Sequence, residues 1–259
     1  MKKYLTVYWL LTRFAMESSI ATGWAMAIFI FGKILRLLIF SIFAYFLFTG
    51  TQGVAGYSKM QSLLFVLYFF LISAIVQTLF REAYRFRPRL VSGEFDFDLI
   101  KPVHPILRSL LGGFDLHDLI TLPIIGGIFF YLLIQSALTL PMWILLASLS
   151  LNGILILFAV HLLVAGWMVI TPEVDHALMI YRDVEMMGRF PVDIYNNPLR
   201  TVLTFVLPIG IVFTFPIKAM LGLISPIWIA ASFLIGIIGV IAAFKFWNFA
   251  VKKYSSASS

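Results

Sequence analysis

The chain has 259 residues, of which 61% are hydrophobic, 16% aromatic and only 12% charged, with a mean hydropathy of +1.00 and a net charge of +7. A soluble domain cannot cover that much apolar surface, so the bilayer is its solvent. The absence of cysteine excludes disulfides and thiolate metal sites, and the positive charge reads as membrane-face charge rather than a nucleic-acid surface.

No cleavable leader is predicted. After Met1-Lys2-Lys3 the chain runs from Tyr4 to Glu17 without a compact apolar core. Residues 4–20 instead predict an amphipathic helix lying in the membrane interface. Spanning needs about 20 apolar residues. Six stretches qualify: 24–48, 62–80, 117–137, 142–169, 200–219 and 226–248. The expectation is an all-α polytopic fold with six transmembrane helices, forming a single membrane domain over residues 1–259.

The first stretch carries Lys33 and Arg36. Each costs about 2.5–3.5 kcal/mol at a helix centre. Either both snorkel to the inner boundary or they line a cavity for an anionic substrate. The third stretch begins beside Asp115, His117 and Asp118, and the fifth contains Pro208 and Pro216. Six spans put both termini on one side. With Lys33, Arg36 and Lys245 left out as lying within spans, that side collects 14 Lys and Arg residues, against Lys59 and Lys218 on the other. The positive-inside rule then makes both termini cytoplasmic. All 12 acidic residues fall on the cytoplasmic side or at its interface, which argues against a proton or sodium relay within the spans. Trp143 and Trp167 are about 36 Å apart along a helix, and Trp228 and Trp247 about 29 Å, so each pair brackets a hydrocarbon core.

The outer loops are short, whereas the inner loops 81–116 and 170–199 are long and charged. In the first, Ser92 is placed to cap a short helix with Glu94 and Asp96 in its first turn, ended by Lys101-Pro102. Phe95 and Leu99 share one face at i,i+4. Such a helix is either a plug for a partner's groove or a surface helix on lipid headgroups. In the second loop, residues 174–187 predict an interfacial helix with Leu178, Ile180, Met186 and Met187 among its apolar positions. The stretch from Phe190-Pro191 to Asn197-Pro198 turns the chain into span five, with Arg200 snorkelling to phosphates. His161 and Asn152 lie within span four, nine residues apart and so on roughly opposite faces, and do not form one site; His161 reads either as a proton site or, having no carboxylate in its own span, as an interhelical hydrogen-bonding group. No P-loop pattern and no H-E-x-x-H occurs.

The run Ser92-Gly93-Glu94-Phe95-Asp96, followed by Leu99 and Lys101-Pro102-Val103, resembles the "G-x-L-D-x-x-L-x-K-P" segment of the ABC-2 exporter permeases, with Phe95 in place of the usual Leu. Phe190-Pro191, Ile194-Tyr195, Leu199-Arg200 and Leu203-Thr204-Phe205, ending at Pro208, resemble the family's second signature, with Phe190 replacing Tyr. The resemblance covers essentially the whole chain. It implies a non-enzymatic permease subunit of an ATP-binding-cassette exporter in a bacterial inner membrane. The chain itself holds no cofactor; ATP and magnesium are bound by separate cytoplasmic ATPase subunits, and a second permease, a paralogue or another copy, completes the pathway. The segment between spans two and three then carries the coupling helix, mapping to Gly93, Glu94, Phe95, Asp96, Asp98, Leu99, Lys101 and Pro102. In that role Phe95 and Leu99 seat in the ATPase groove, and Glu94, Asp96 and Asp98 set the charge register. Pro191, Tyr195 and Arg200 form a second cytoplasmic motif, and Ile217 to Pro226 hold a partly re-entrant stretch. The same topology also fits a non-transporting membrane scaffold or, against the lack of membrane carboxylates, an ion-coupled secondary carrier.

Overall fold

A computed structural model describes residues 2–21, scattered positions between 23 and 42, and residues 53–111, 116–136, 138–171 and 176–255. Most of the first predicted span, including Lys33 and Arg36, lies outside the described residues, as do Asp115, Glu173 and Asp175. Of the described residues 84% are helical and none forms a strand.

The N-terminal helix α1 (Lys2–Ala21) exposes Leu5, Trp9, Leu10 and Phe14. Its Lys3 Nζ donates to the Pro102 carbonyl at 2.6 Å, tying the helix to the loop after residue 99. Next comes α2 (Lys59–Leu79), started by a reciprocal capping box in which Ser58 and Gln61 each bond the other's backbone N–H. Apolar all round, it is 67% buried and forms the centre of the bundle.

After a tight turn at Arg81–Arg85 come three short helices: α3 (Phe86–Val91), α4 (Glu94–Leu99) and α5 (Ile106–Leu110). The longer helices α6 (Leu116–Gln135) and α7 (Leu140–Ile170) follow, and α7 opens on Pro141 in its first turn, where a missing N–H costs nothing. Then come α8 (Ala177–Glu185), α9 (Asn197–Thr201, continued by a π-helical turn to Val206), α10 (Phe215–Met220, preceded by a π-helical turn over Gly210–Thr214) and α11 (Pro226–Lys253).

By length and composition, α2, α7 and α11 can each cross a membrane, and the bent pair 197–206 and 210–220 is a fourth candidate. The six-span count is therefore not reproduced among the described residues. Cross-contacts give the relative directions. Tyr68 meets Ser150 at 2.9 Å and Phe80 meets Phe158, so α2 and α7 run parallel. Asn152 donates to the Ser232 carbonyl at 3.0 Å, and a Cβ on Gly166 would touch Phe246, so α11 runs parallel to both. In α6, Phe129 lies near Tyr68 and a Cβ on Gly126 would meet Leu71, so it runs the opposite way. We name the two ends of the bundle after α2: the Lys59 end and the Leu79 end, about 31 Å apart.

The predicted fifth span, 200–219, is not one straight helix. As a straight helix it would separate Arg200 from Lys218 by about 27 Å. Instead both reach one carboxylate: Lys218 Nζ lies 3.1 Å from Asp193 and Arg200 Nη1 3.6 Å from it. The chain bends by 85° between its two halves. Pro208 removes a donor at the break, and π-helical turns flank it. The bend therefore centres on residues 207–209, ahead of the Ile217 to Pro226 stretch where re-entry was expected.

The return passage is made by residues 177–195, which were expected to stay in an inner loop. Glu185 bonds Ser73 of α2, Phe190 packs on Val66, and Asp193 bonds Tyr57 just before α2. The segment thus climbs antiparallel to α2 from near its Leu79 end to its Lys59 end. It carries Arg182, Asp183, Glu185, Arg189 and Asp193, so hydropathy alone conceals it.

Candidate functional site

The Leu79 end holds the short helices α3 to α5. Gly93 joins α3 to α4 with φ +76°, a conformation that favours glycine. Ser92 does not cap α4, as the sequence predicts; it closes α3, with its hydroxyl donating back to the Arg89 carbonyl at 3.3 Å. The helix consequently spans 94–99 rather than 92–101.

Two clusters clamp α4. The first is aromatic. Phe95 is fully buried, edge-on to Phe86 at 5.2 Å and to Tyr254 at 5.1 Å, with Trp247 at 6.3 Å. Phe95 therefore does not protrude as a knob, and Leu99 also packs inward against this core. Trp247 is 1% exposed, so it is not an interface-belt residue, whereas Trp167 is 54% exposed. The second cluster is ionic. Asp98, 2% exposed, accepts from Arg89 and from Lys101 at 3.1 Å, and Arg108 Nη1 lies 3.4 Å away. Arg89 also donates to the Arg108 carbonyl at 2.7 Å and sits 3.5 Å from Glu94. Asp98 is thus spent internally and is not free to set register with a partner.

What remains outside is a small mixed face. Phe97 is 62% exposed and Ile100 80%, with Val91, Glu94, Lys101 and Pro102 also exposed and Asp96 half-buried. Phe97 and Ile100 are the outward apolar pair at i,i+3 that the sequence reading missed. Helical spacing groups residues by face but leaves open which face turns inward. Only the aromatic partners Phe86, Trp247 and Tyr254, distant in sequence, decide it.

Pro191, Tyr195 and Arg200 lie toward the Lys59 end, away from α4. Pro191 is buried, Tyr195 donates to the Met187 carbonyl at 2.9 Å, and Arg200 faces Asp193. They and α4 therefore lie at opposite ends of the bundle. The hub there is Asp193. It accepts from Tyr57 at 2.7 Å and from Lys218 at 3.1 Å. Burial first, and then the bond to this carboxylate, push the Tyr57 phenol well above its ordinary pKa, so it stays a donor. A Cβ on Gly188 would come within 2.8 Å of both Ile209 and Phe213; glycine there lets the 186–195 segment lie against the bend.

Asn152 and His161, the polar residues of span four, are both buried. Asn152 faces α11 through Ser232, while His161 bonds the Leu157 carbonyl at 2.8 Å and lies 3.4 Å from the Tyr84 hydroxyl. Among the described residues no group of three or more His, Cys, Asp or Glu is placed to hold a metal ion.

The model of the ABC-2 family transporter proteins matches residues 34–258, through both clamps of α4 and the Asp193 hub. The chain belongs to the ABC-2 transporter family. Neither the curated proteins nor the solved structures compared with it give a match. As an ABC-2 family member it is a multi-pass, permease-type membrane component of an ABC transporter, and membership implies association with an ATP-binding subunit.

Proposed function

We propose that this permease exports its cargo using ATP hydrolysed on separate cytoplasmic ATPase subunits, which also hold the magnesium, and that α4 is the helix they press on. The observation that carries this reading is the rigid mounting of α4 behind an exposed apolar pair. Phe97 and Ile100 are exposed, while Phe95 and Asp98 lock the helix to the ends of α2 and α11. A push on Phe97 passes through Phe95 to Trp247 of α11, and through Asp98 and Arg89 to α3, which continues from α2. The spans then repack. The bias comes from the ATPase binding the two permease states with different affinity.

This reading puts the Leu79 end in the cytoplasm. The basic residues of that end, from Arg81 to Arg108 together with Lys252 and Lys253, agree with it. Both termini are then cytoplasmic, in a bacterial inner membrane, and a second permease, a copy or a paralogue, completes the pathway. The fifth crossing is 177–195, and residues 197–220 form a hairpin entering from the outer side.

The test is a mild-detergent pull-down of the tagged chain from its own cell, with mass spectrometry. The expected result is a co-purifying ATPase with Walker motifs, lost in Phe97→Asp. Recovery of the intact chain without such an ATPase, in conditions that preserve a known ABC complex, contradicts the reading and favours a scaffold.

A further inference from the structure

The transport reading leaves one buried acid without a task. Glu185 is 5% exposed and lies within the bundle, although the acids were expected to stay clear of the spans. Its one hydrogen bond is from Ser73 Oγ at 2.7 Å. Among the described residues no Lys or Arg lies at ion-pair distance from it. One helical turn away on the same face of α8, the Tyr181 hydroxyl is buried and has no hydrogen-bond partner. Around them stand the rings of His161, 6.3 Å from Tyr181, and of Tyr84 and Phe80, 5.9 and 5.4 Å from His161.

The groups facing this spot come from every neighbouring element. Ser73 is on α2, Phe80 and Tyr84 follow it, His161 is on α7, and Tyr181 and Glu185 are on α8. Arg182 and Asp183 lie on the exposed side of α8. The cluster therefore offers a carboxylate with no cation at ion-pair distance, the exposed Arg182 acting on it only through space, a phenol oxygen lacking a donor, and aromatic faces. A buried acid and an unsatisfied hydroxyl are each costly unless something completes them. An ammonium group completes both, donating to the carboxylate and the phenol while its charge rests over the rings.

We propose that Glu185, Tyr181 and Ser73 form the recognition site for a cationic amine on the cargo, which replaces the Ser73 hydroxyl when α8 moves off α2. This rests on the permease reading, but its test does not use transport.

The full-length chain in lipid nanodiscs is titrated with octylammonium, with octanol as the neutral control for partition into lipid, and thermal unfolding is followed. Octylammonium is expected to raise the midpoint in a saturable way and octanol not to. Glu185→Gln should abolish the shift. Tyr181→Phe removes only an unpartnered hydroxyl, so it should fold as well as the parent while needing at least ~tenfold more octylammonium for the same shift. Equal responses to octanol and octylammonium, or a full response in Tyr181→Phe, overturn the proposal, and that is the outcome if Glu185 merely carries a proton. No ATPase is present, so this failure is distinguishable from failure of the pull-down.

Discussion

Phe95 and Phe97 are two residues apart, yet one is fully buried and the other 62% exposed. Truncating them should have opposite consequences. Phe95→Ala empties a site lined by Phe86, Trp247 and Tyr254, a change of a kind that costs about 3–5 kcal/mol. Phe97→Ala leaves no cavity, so the isolated chain should shift by no more than about 0.5 kcal/mol while losing affinity for its ATPase. Thermal unfolding with and without the ATPase separates the two. Asp98→Asn strands Arg89, whose side chain is only 12% exposed, beside Arg108. Breaking a buried pair from one side costs about 3–5 kcal/mol. The expected signs are a lower melting point and faster proteolysis between residues 92 and 104; an unchanged melting curve would mean that the ionic clamp carries no weight.

At the scale of elements, Asp193 holds together three segments far apart in sequence: Tyr57, the 186–195 ascent, and the hairpin that begins at Asn197 and ends at Met220. Asp193→Ala and Lys218→Ala should each loosen the hairpin. Because the two side chains are only 3.1 Å apart, the double variant should be less damaging than the sum of the singles. A double-mutant cycle on unfolding should give a coupling of about 0.5–3 kcal/mol; strict additivity would show that the ion pair does not anchor the hairpin. The legibility of these elements follows their chemistry. The apolar runs of α2, α7 and α11 are long enough to be read directly. The 200–219 stretch is equally apolar, and composition cannot distinguish a crossing from a hairpin; Pro208 and Pro216 were the visible warnings. The 177–195 ascent was illegible because its charges are tolerated only through partners elsewhere in the chain, Ser73 for Glu185 and Tyr57 with Lys218 for Asp193. Gly93 announced a turn, but nothing local shows that Arg89 and Arg108 would converge on Asp98.

For the whole molecule, the folded-back hairpin changes the topology. On the proposed topology Arg200 joins Lys59 and Lys218 on one side while Arg182 and Arg189 enter the 177–195 passage, and the other 11 basic residues of the expected inner side still outnumber those three. The chain contains no cysteine, so single cysteines report topology without background. Cysteines at Asn197 and Gly222 should both react with a membrane-impermeant maleimide from outside the cell, and one at His104 only after permeabilisation. A split between 197 and 222 would restore a fifth span at 200–219.

The most direct measurement places a photo-crosslinker on Phe97→Cys and, separately, on Leu223→Cys, both exposed positions at opposite ends of the bundle, in membranes containing the assembled complex. The account predicts an adduct between the permease and its ATPase from residue 97 and none from 223. An assembled complex that gives the ATPase adduct from 223, or none from 97, would contradict the claim that α4 is where ATP hydrolysis meets the membrane.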